Sequence, residues 1–331
     1  MKDLLLSCDW GTSSFRLRLV NAATREVKGE IVAGDGIAAV YNRWKHVDAG
    51  NQSGRENFYF QSLQQHLAAL ANKTGVLPEG VPVVISGMAS SSIGIRSLPY
   101  ASLPFAIDGS GAIVEDFAAT RDFHNPVKII SGATSGQDIM RGEETQMIGL
   151  AAMDSELMAG PPSVCIFPGT HSKHVRVENG RIVDFTTFMT GELFDVLRRH
   201  SILKDSIAEE LHHGELTGMG EDAFRRGVLA SARSNLLHTF FSVRVDQLFE
   251  RVTRADNLFY LSGLLIGTEL RTLCGDSSIR IRLCSGSSVY HLYQLALESL
   301  GLAEQAIFIA PEIMDRSAME GHISIFKKSI A

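Results

Sequence analysis

Leu4-Leu5-Leu6-Ser7-Cys8-Asp9-Trp10-Gly11-Thr12-Ser13-Ser14-Phe15-Arg16-Leu17-Arg18-Leu19 reads as a strand, a polar turn and a second strand. The apolar run stops at Asp9, and after the turn Phe15, Leu17 and Leu19 alternate with Arg16 and Arg18, the period of a strand with one face inward. The same grammar restarts at Ser163. Val164 to Phe167 are apolar, Pro168-Gly169-Thr170-His171-Ser172 form the turn, and Val175 and Val177 alternate with His174 and Arg176. Gly169 follows Gly11, and Val175 follows Leu17, by the same 158 positions, so the unit is duplicated without a gap. At 331 residues the chain has room for two cores. Repeat and length together predict two similar α/β domains, 1–155 and 156–331, with a terminal helix from about 313 acting as a second connector.

Outward from these units, Glu26 to Ile31 supplies a third strand, and Ser53 and Glu56 form a capping-box pattern ahead of Phe60, Leu63, Leu67 and Leu70. Val81 to Ile85 and Lys128 to Ile130 are buried strands, the second leading through a Gly-rich loop into a helix from about Arg141 to Met153. Asn179-Gly180 predicts a tight hairpin into Arg181 to Phe188. Helices are predicted over Leu193 to Leu197, Phe224 to Phe241 and Leu258 to Leu270. Ile279 to Leu283 alternates as a strand, Ser285-Gly286-Ser287-Ser288 opens a helix, and Ile307 to Ile309 is the last strand.

The composition is globular, with 45% hydrophobic and 21% charged residues. A net charge of −6 without long runs of one sign excludes a counterion-releasing surface, so nucleic acid is not an expected partner. The apolar stretch before Asp9 is too short for a secretion signal or a spanning helix, which predicts a cytoplasmic protein without a membrane partner. Cys8, Cys165, Cys274 and Cys284 are scattered and form no CxxC, a pattern that suits buried reduced thiols. Walker A, GxGxxG, GxSxG and HExxH patterns are missing from the sequence, against P-loop, dehydrogenase, serine hydrolase and zincin chemistry. Glu56 to Ser62 matches a protease tag site, but it continues an amphipathic helical pattern and is read as native.

A Gly, Thr and Ser turn between strands gathers N–H groups and hydroxyls around one point, a cradle for phosphate oxygens. Two such turns suit one polyphosphate. Asp9, at the end of the first strand, is placed to hold Mg²⁺ through water near phosphates; the competing reading is an Asp that caps its own turn. At Ser285 to Ser288 the small residues would let a purine or ribose approach the backbone; the competing reading is an ordinary β-α turn.

Asp9 to Arg16, Asp138-Ile139-Met140-Arg141-Gly142-Glu143-Glu144-Thr145-Gln146, Pro168 to Lys173, Met189-Thr190-Gly191-Glu192-Leu193 and Ser262-Gly263-Leu264-Leu265-Ile266-Gly267 together resemble the 2-dehydro-3-deoxygalactonokinase family. The motifs run in family order along nearly the whole chain. The resemblance implies an actin-like ATPase fold of two RNase H-like domains with mixed sheets and a ligand cleft between them. It also implies phosphoryl transfer from MgATP to the primary hydroxyl of a 2-keto-3-deoxy sugar acid, and a homodimer as a family-level expectation. By position, Gly11, Thr12 and Ser13 fall in the first phosphate loop, Gly169, Thr170, His171 and Ser172 in the second, and Gly286, Ser287 and Ser288 in the adenosine turn. A regulatory actin-like ATPase and a non-catalytic sugar-acid-binding paralogue are the alternatives.

Phosphoryl transfer requires positioning, charge neutralisation and a carboxylate to take the hydroxyl proton. Glu143 and Glu144 point about 100° apart on a helix, so only one can face the ligand; Glu143 is the expected base and Asp138 the runner-up, and the competing reading is a helix N-terminus carrying acids that suit its dipole. The substrate carboxylate requires a cation, expected among Arg16, Arg96, Arg141 and Lys173, with Ser90 also in the sugar-binding set. The chain departs from the family pattern at Ala89 to Arg96 and at His174, where the family carries Trp. His171 and His174 fall on opposite strand faces and do not form a metal pair.

Overall fold

The structure is a computed structural model that describes residues 3–47, 52–209, 218–232 and 235–330. The side chain of Ser53, half of the expected capping box, lies outside the described residues. The chain divides into two units. The first comprises Met1–Gly160, Val177–Asp184 and Glu312–Ala331, and the second Pro161–Arg176 and Phe185–Pro311.

The first unit contains β1 (Leu4–Trp10), β2 (Phe15–Asn21), β3 (Val27–Ala33), α1 (Ile37–Val47), α2 (Gln52–Thr74), β4 (Val83–Gly87), β5 (Ala101–Ser102), β6 (Phe105–Ala106), β7 (Val114–Phe117), β8 (Val127–Ile130), β9 (Ala133–Thr134), β10 (Ile139–Met140), α3 (Glu143–Met153) and α4 (Glu156–Ala159). Its main sheet has the order β3-β2-β1-β4-β8-β7. β1 pairs antiparallel with β2 and parallel with β4, so the central strand is enclosed, and Leu5, Leu6, Cys8 and Trp10 are fully buried. α2 covers one face with Tyr59, Leu63, Leu67 and Leu70, as the helical spacing of these residues requires. Glu56 to Ser62 lies within this helix.

The second unit is built from β11 (Ser163–Phe167), β12 (Ser172–Glu178), β13 (Arg181–Phe188), α5 (Thr190–His200), α6 (Met219–Ala230), α7 (Leu236–Leu248), α8 (Arg254–Leu270), β14 (Arg280–Cys284), α9 (Ser287–Ser299) and β15 (Ala306–Ile309). The division of the chain passes through β12 and β13. α10 (Pro311–Ile330) then returns to the first unit. The strand order β13-β12-β11-β14-β15 repeats β3-β2-β1-β4-β8 strand for strand, which is the duplicated RNase H-like plan of the actin-like ATPases and sugar kinases. Asn179 and Gly180 take φ of 50° and 70° in the β12–β13 hairpin.

Four local readings differ from the structure. α1 was not foreseen; its N-terminus is fixed by the first turn, where Ile37 and Ala38 N–H donate to the Gly11 and Thr12 carbonyls. The stretch Phe224 to Phe241 is two helices, α6 and α7. The loop before α3 contains β9 and β10, which join β5 in a three-stranded sheet. Arg18, placed outward by alternation, is buried because α10 covers the second face: its guanidinium pairs with Glu30 at 2.7 Å and with Asp315. Three of the cysteines are buried and Cys274 is exposed; all four are free.

α3 and α10 pack backbone to backbone. A Cβ on Gly149 would overlap the Ser317 carbonyl oxygen and sit 2.8 Å from Gly321 N, so only glycine permits this approach.

Candidate active site

In the first unit, three backbone segments meet at the C-terminal end of β1. A Cβ built on Gly87 would lie 3.5 Å from Asp9 Oδ1, and one on Gly142 3.6 Å from Gly87 Cα; both glycines have positive φ, 86° and 110°. Asp9, the end of β4 and the start of α3 are thereby neighbours. The turn after β1 is closed by Gly11 N–H donating to the Ser14 carbonyl at 2.9 Å, with Thr12 and Ser13 exposed. Asp9 stands opposite Arg16 in the β1–β2 register. Burial raises its pKa, and the nearby positive charges of Arg16 and Arg18 lower it.

Asp9 and Arg16 line a small cavity of about 50 Å³ with Ser7, Gln146 and Asp315. Among the described residues no cluster of three ligating side chains could hold a metal alone. A single partly exposed carboxylate beside a phosphate cradle still fits Mg²⁺, which takes one or two carboxylates and completes its shell with waters and phosphate oxygens.

The two adjacent glutamates differ. Glu144 is 1% exposed and folds back on its own helix N-terminus, accepting from Gly142 N–H at 2.8 Å and Thr145 Oγ1 at 3.0 Å. Burial, reinforced by the neighbouring Glu143 charge, pushes it up to about 8. Glu143 is the first residue of α3 and remains half-buried. Asp138 is not on that helix. It closes the turn before β10, with Oδ1 accepting from Ile139 N–H at 2.7 Å.

The expected substrate-binding cations fall into different surroundings. Arg141 donates to the Ser90 carbonyl and hydroxyl, both at 2.6 Å, and its guanidinium lies 4.0 Å from the centre of the Tyr100 ring. It has no carboxylate partner among the described residues. Arg96, by contrast, is chelated by Glu56 at 2.8 and 3.0 Å and bonded to Glu115 at 2.8 Å. Its one positive charge is already met by two negative ones, so the expectation that Arg96 receives the substrate carboxylate does not fit this geometry. Arg16 pairs with Asp315 and lies 3.5 Å from Glu30. Lys173 belongs to the second unit, buried on β12 with Nζ 3.5 Å from the His171 carbonyl.

In the second unit, the turn Gly169–His171 is exposed and braced by α5. A Cβ on Gly191 would lie 2.6 Å from the Gly169 oxygen and 2.8 Å from Thr170 Cα, and Glu192 N–H donates to the Thr170 carbonyl at 3.0 Å. His171 Nε2 is 2.5 Å from Glu192 Oε2. Ser172 departs from its expected role, because its hydroxyl is fully buried and donates to Glu269 at 2.7 Å instead of facing a ligand. Gly286, Ser287 and Ser288 are exposed at the N-terminus of α9, the β-α turn that the sequence predicts. Glu269 itself was missed; an acid in the apolar run from Leu258 to Leu270 was the available signal.

Fold and site together define an actin-like ATPase of the sugar kinase class. The family model for 2-keto-3-deoxy-galactonokinase matches residues 9–316. The chain belongs to this family and is a sugar-acid kinase. It is 36% identical over 307 residues to the 2-dehydro-3-deoxygalactonokinase DgoK1 of Rhizobium meliloti (strain 1021), covering 90% of each chain. It is 32% identical over 235 residues to the 2-dehydro-3-deoxygalactonokinase of Escherichia coli (strain K12), covering 69% of this chain and 74% of that protein. A crystal structure from Sinorhizobium meliloti, described under the same enzyme name, superposes with a TM-score of 0.74 at 31% identity, covering 99% of this chain and 98% of the other. As a member of a kinase family the chain uses ATP. Among the described residues no helix is long and apolar enough to cross a membrane.

Proposed function

We propose that the chain transfers the γ-phosphoryl group of ATP to the primary hydroxyl of 2-dehydro-3-deoxygalactonate, giving the 6-phosphate and ADP. The observation that supports this most is the meeting of Asp9, Gly87, Gly142 and the start of α3 in the first unit, because phosphoryl transfer needs a metal-binding carboxylate and a proton acceptor within reach of one reacting centre. Asp9 would hold Mg²⁺, which when bound would supply neutralisation of charge on the phosphate oxygens.

Gly11, Thr12 and Ser13, and Gly169, Thr170 and His171, offer N–H groups and exposed side chains to phosphate oxygens, and Gly286 to Ser288 receive the adenosine. Glu143 accepts the proton from the hydroxyl as its oxygen bonds to phosphorus and the bond from that phosphorus to the ADP oxygen breaks. Arg141, stacked on Tyr100 and fixed by Ser90, receives the substrate carboxylate. An unpaired cation held rigidly beside polar groups suits an anionic ligand.

The test is ADP release from MgATP over a panel of 2-keto-3-deoxy acids, with the product identified by mass and phosphorus NMR. ATP hydrolysis that proceeds equally without any sugar acid refutes the kinase reading and favours a regulatory ATPase. A homodimer remains part of the proposal, supported by the exposed apolar row Leu237, Phe241 and Leu248 on α7. A monomeric mass in light scattering at working concentration ends it.

A further inference from the structure

We infer that Glu269 is a positioning residue of the nucleotide site, tying the second phosphate turn to the adenosine helix; the inference rests on the assignment of these two elements made above. Glu269 lies in the last turn of α8 and is 2% exposed. The position is unfavourable for an acid twice over, since burial penalises the charge and the helix C-terminus is itself negative.

The cost is offset by four donors that fill both oxygens. Oε1 accepts from Ser172 Oγ at 2.7 Å and faces His174 Nε2 at 3.0 Å. Oε2 accepts from Tyr293 OH at 2.9 Å and from Thr190 Oγ1. A well-packed apolar side chain would fill this space at lower cost, so stability alone does not explain the acid.

The donors come from three elements with one thing in common. Ser172 and His174 open β12 directly after the Gly169–His171 turn, Thr190 begins α5, which braces that turn through Gly191, and Tyr293 lies on α9, whose N-terminus carries Gly286 to Ser288. One carboxylate therefore fixes the phosphate turn, its brace and the adenosine helix together. His174, where the sequence departs from the family pattern, is part of the same network.

The experiment compares the full chain with Glu269→Gln, Tyr293→Phe and Thr190→Val. ADP affinity is measured by calorimetry without sugar, alongside KM for ATP and for the sugar acid. Glutamine turns a donor toward two of the four donors, so Glu269→Gln is expected to weaken ADP binding and raise KM for ATP by about tenfold or more, with KM for the sugar acid within about twofold. Tyr293→Phe and Thr190→Val, each losing one hydroxyl and leaving three donors in place, are expected to show the same selective pattern at about threefold. These two decide the matter if Glu269→Gln does not fold. A wild-type chain that binds ADP, with folded variants that bind it equally well or lose ATP and sugar affinity in parallel, overturns the inference alone. A wild-type chain that binds no adenine nucleotide overturns the functional reading and this inference with it.

Discussion

Replacing Arg141 by alanine and, separately, Arg96 by alanine tests which cation receives the substrate carboxylate. Arg96 makes three bonds of 2.8 to 3.0 Å to Glu56 and Glu115, so its site is negative overall before any ligand arrives. Removing it deletes ion pairs that are partly exposed, worth about 1 kcal/mol or less each, and leaves the preference for an acid untouched. Arg141 spends its donors on the neutral groups Ser90 and Tyr100 and has no carboxylate partner among the described residues. A charge-assisted bond to a carboxylate is worth about 1.5 to 3 kcal/mol, so Arg141→Ala should raise KM for the acid about 10 to 150-fold. The assay is initial-rate ADP release with the sugar acid and with a neutral analogue lacking the carboxylate. Loss of the bonds to Ser90 loosens the loop for both substrates, and the ratio of their kcat/KM values isolates the carboxylate contribution. If Arg96→Ala abolishes the preference for the acid while Arg141→Ala preserves it, the reasoning from charge compensation is refuted.

Asp9→Asn should lower kcat by about 100-fold or more with the fold intact, checked by steady-state turnover and circular dichroism; near-normal turnover removes Asp9 from the metal role. Glu143→Gln should lower kcat about 100 to 10,000-fold with a small change in KM for the sugar acid, and a dead Asp138→Asn beside an active Glu143→Gln would transfer the base to Asp138. Glu144 gives a pH signature: its carboxyl is raised to about 8 in the folded chain, so the folded state holds a proton that the unfolded state releases above the ordinary carboxyl range. Its contribution to stability is therefore complete at low pH and declines by about 1.4 kcal/mol per pH unit until pH passes about 8. Glu144→Gln should flatten this slope in urea unfolding between pH 5 and about 8, and an unchanged slope contradicts the assignment. Gly149→Ala should cost about 1 to 3 kcal/mol, since the Ser317 carbonyl of α10 must move away from α3; a urea midpoint equal to wild type would show that the α3–α10 approach is not so close.

Much of the fold is legible in the chain because it rests on local periodicity. The two strand-turn-strand units, the Asn179-Gly180 hairpin and the helix carrying Leu63, Leu67 and Leu70 follow from spacing and turn chemistry, and the repeat at 158 positions anticipates the matched strand orders of the two sheets. The approach of Asp9 and of Gly142 to Gly87 depends instead on where β1, β4 and α3 come together, and no local pattern encodes it. Charge compensation is equally non-local. Arg96 and Arg141 look alike in the sequence, yet packing surrounds one with Glu56 and Glu115 and lays the other against Tyr100. Arg18 is buried only because the last helix returns over the first strands, and Glu269 finds Ser172, His174, Thr190 and Tyr293 up to 97 residues away. Sequence determined most of the elements, which follow from residue type and near-neighbour spacing, and its motifs pointed to the chemistry class through their resemblance to a known family. Tertiary structure decided which charges are neutralised and which are available, because a side chain's electrostatic surroundings are supplied by residues distant along the chain.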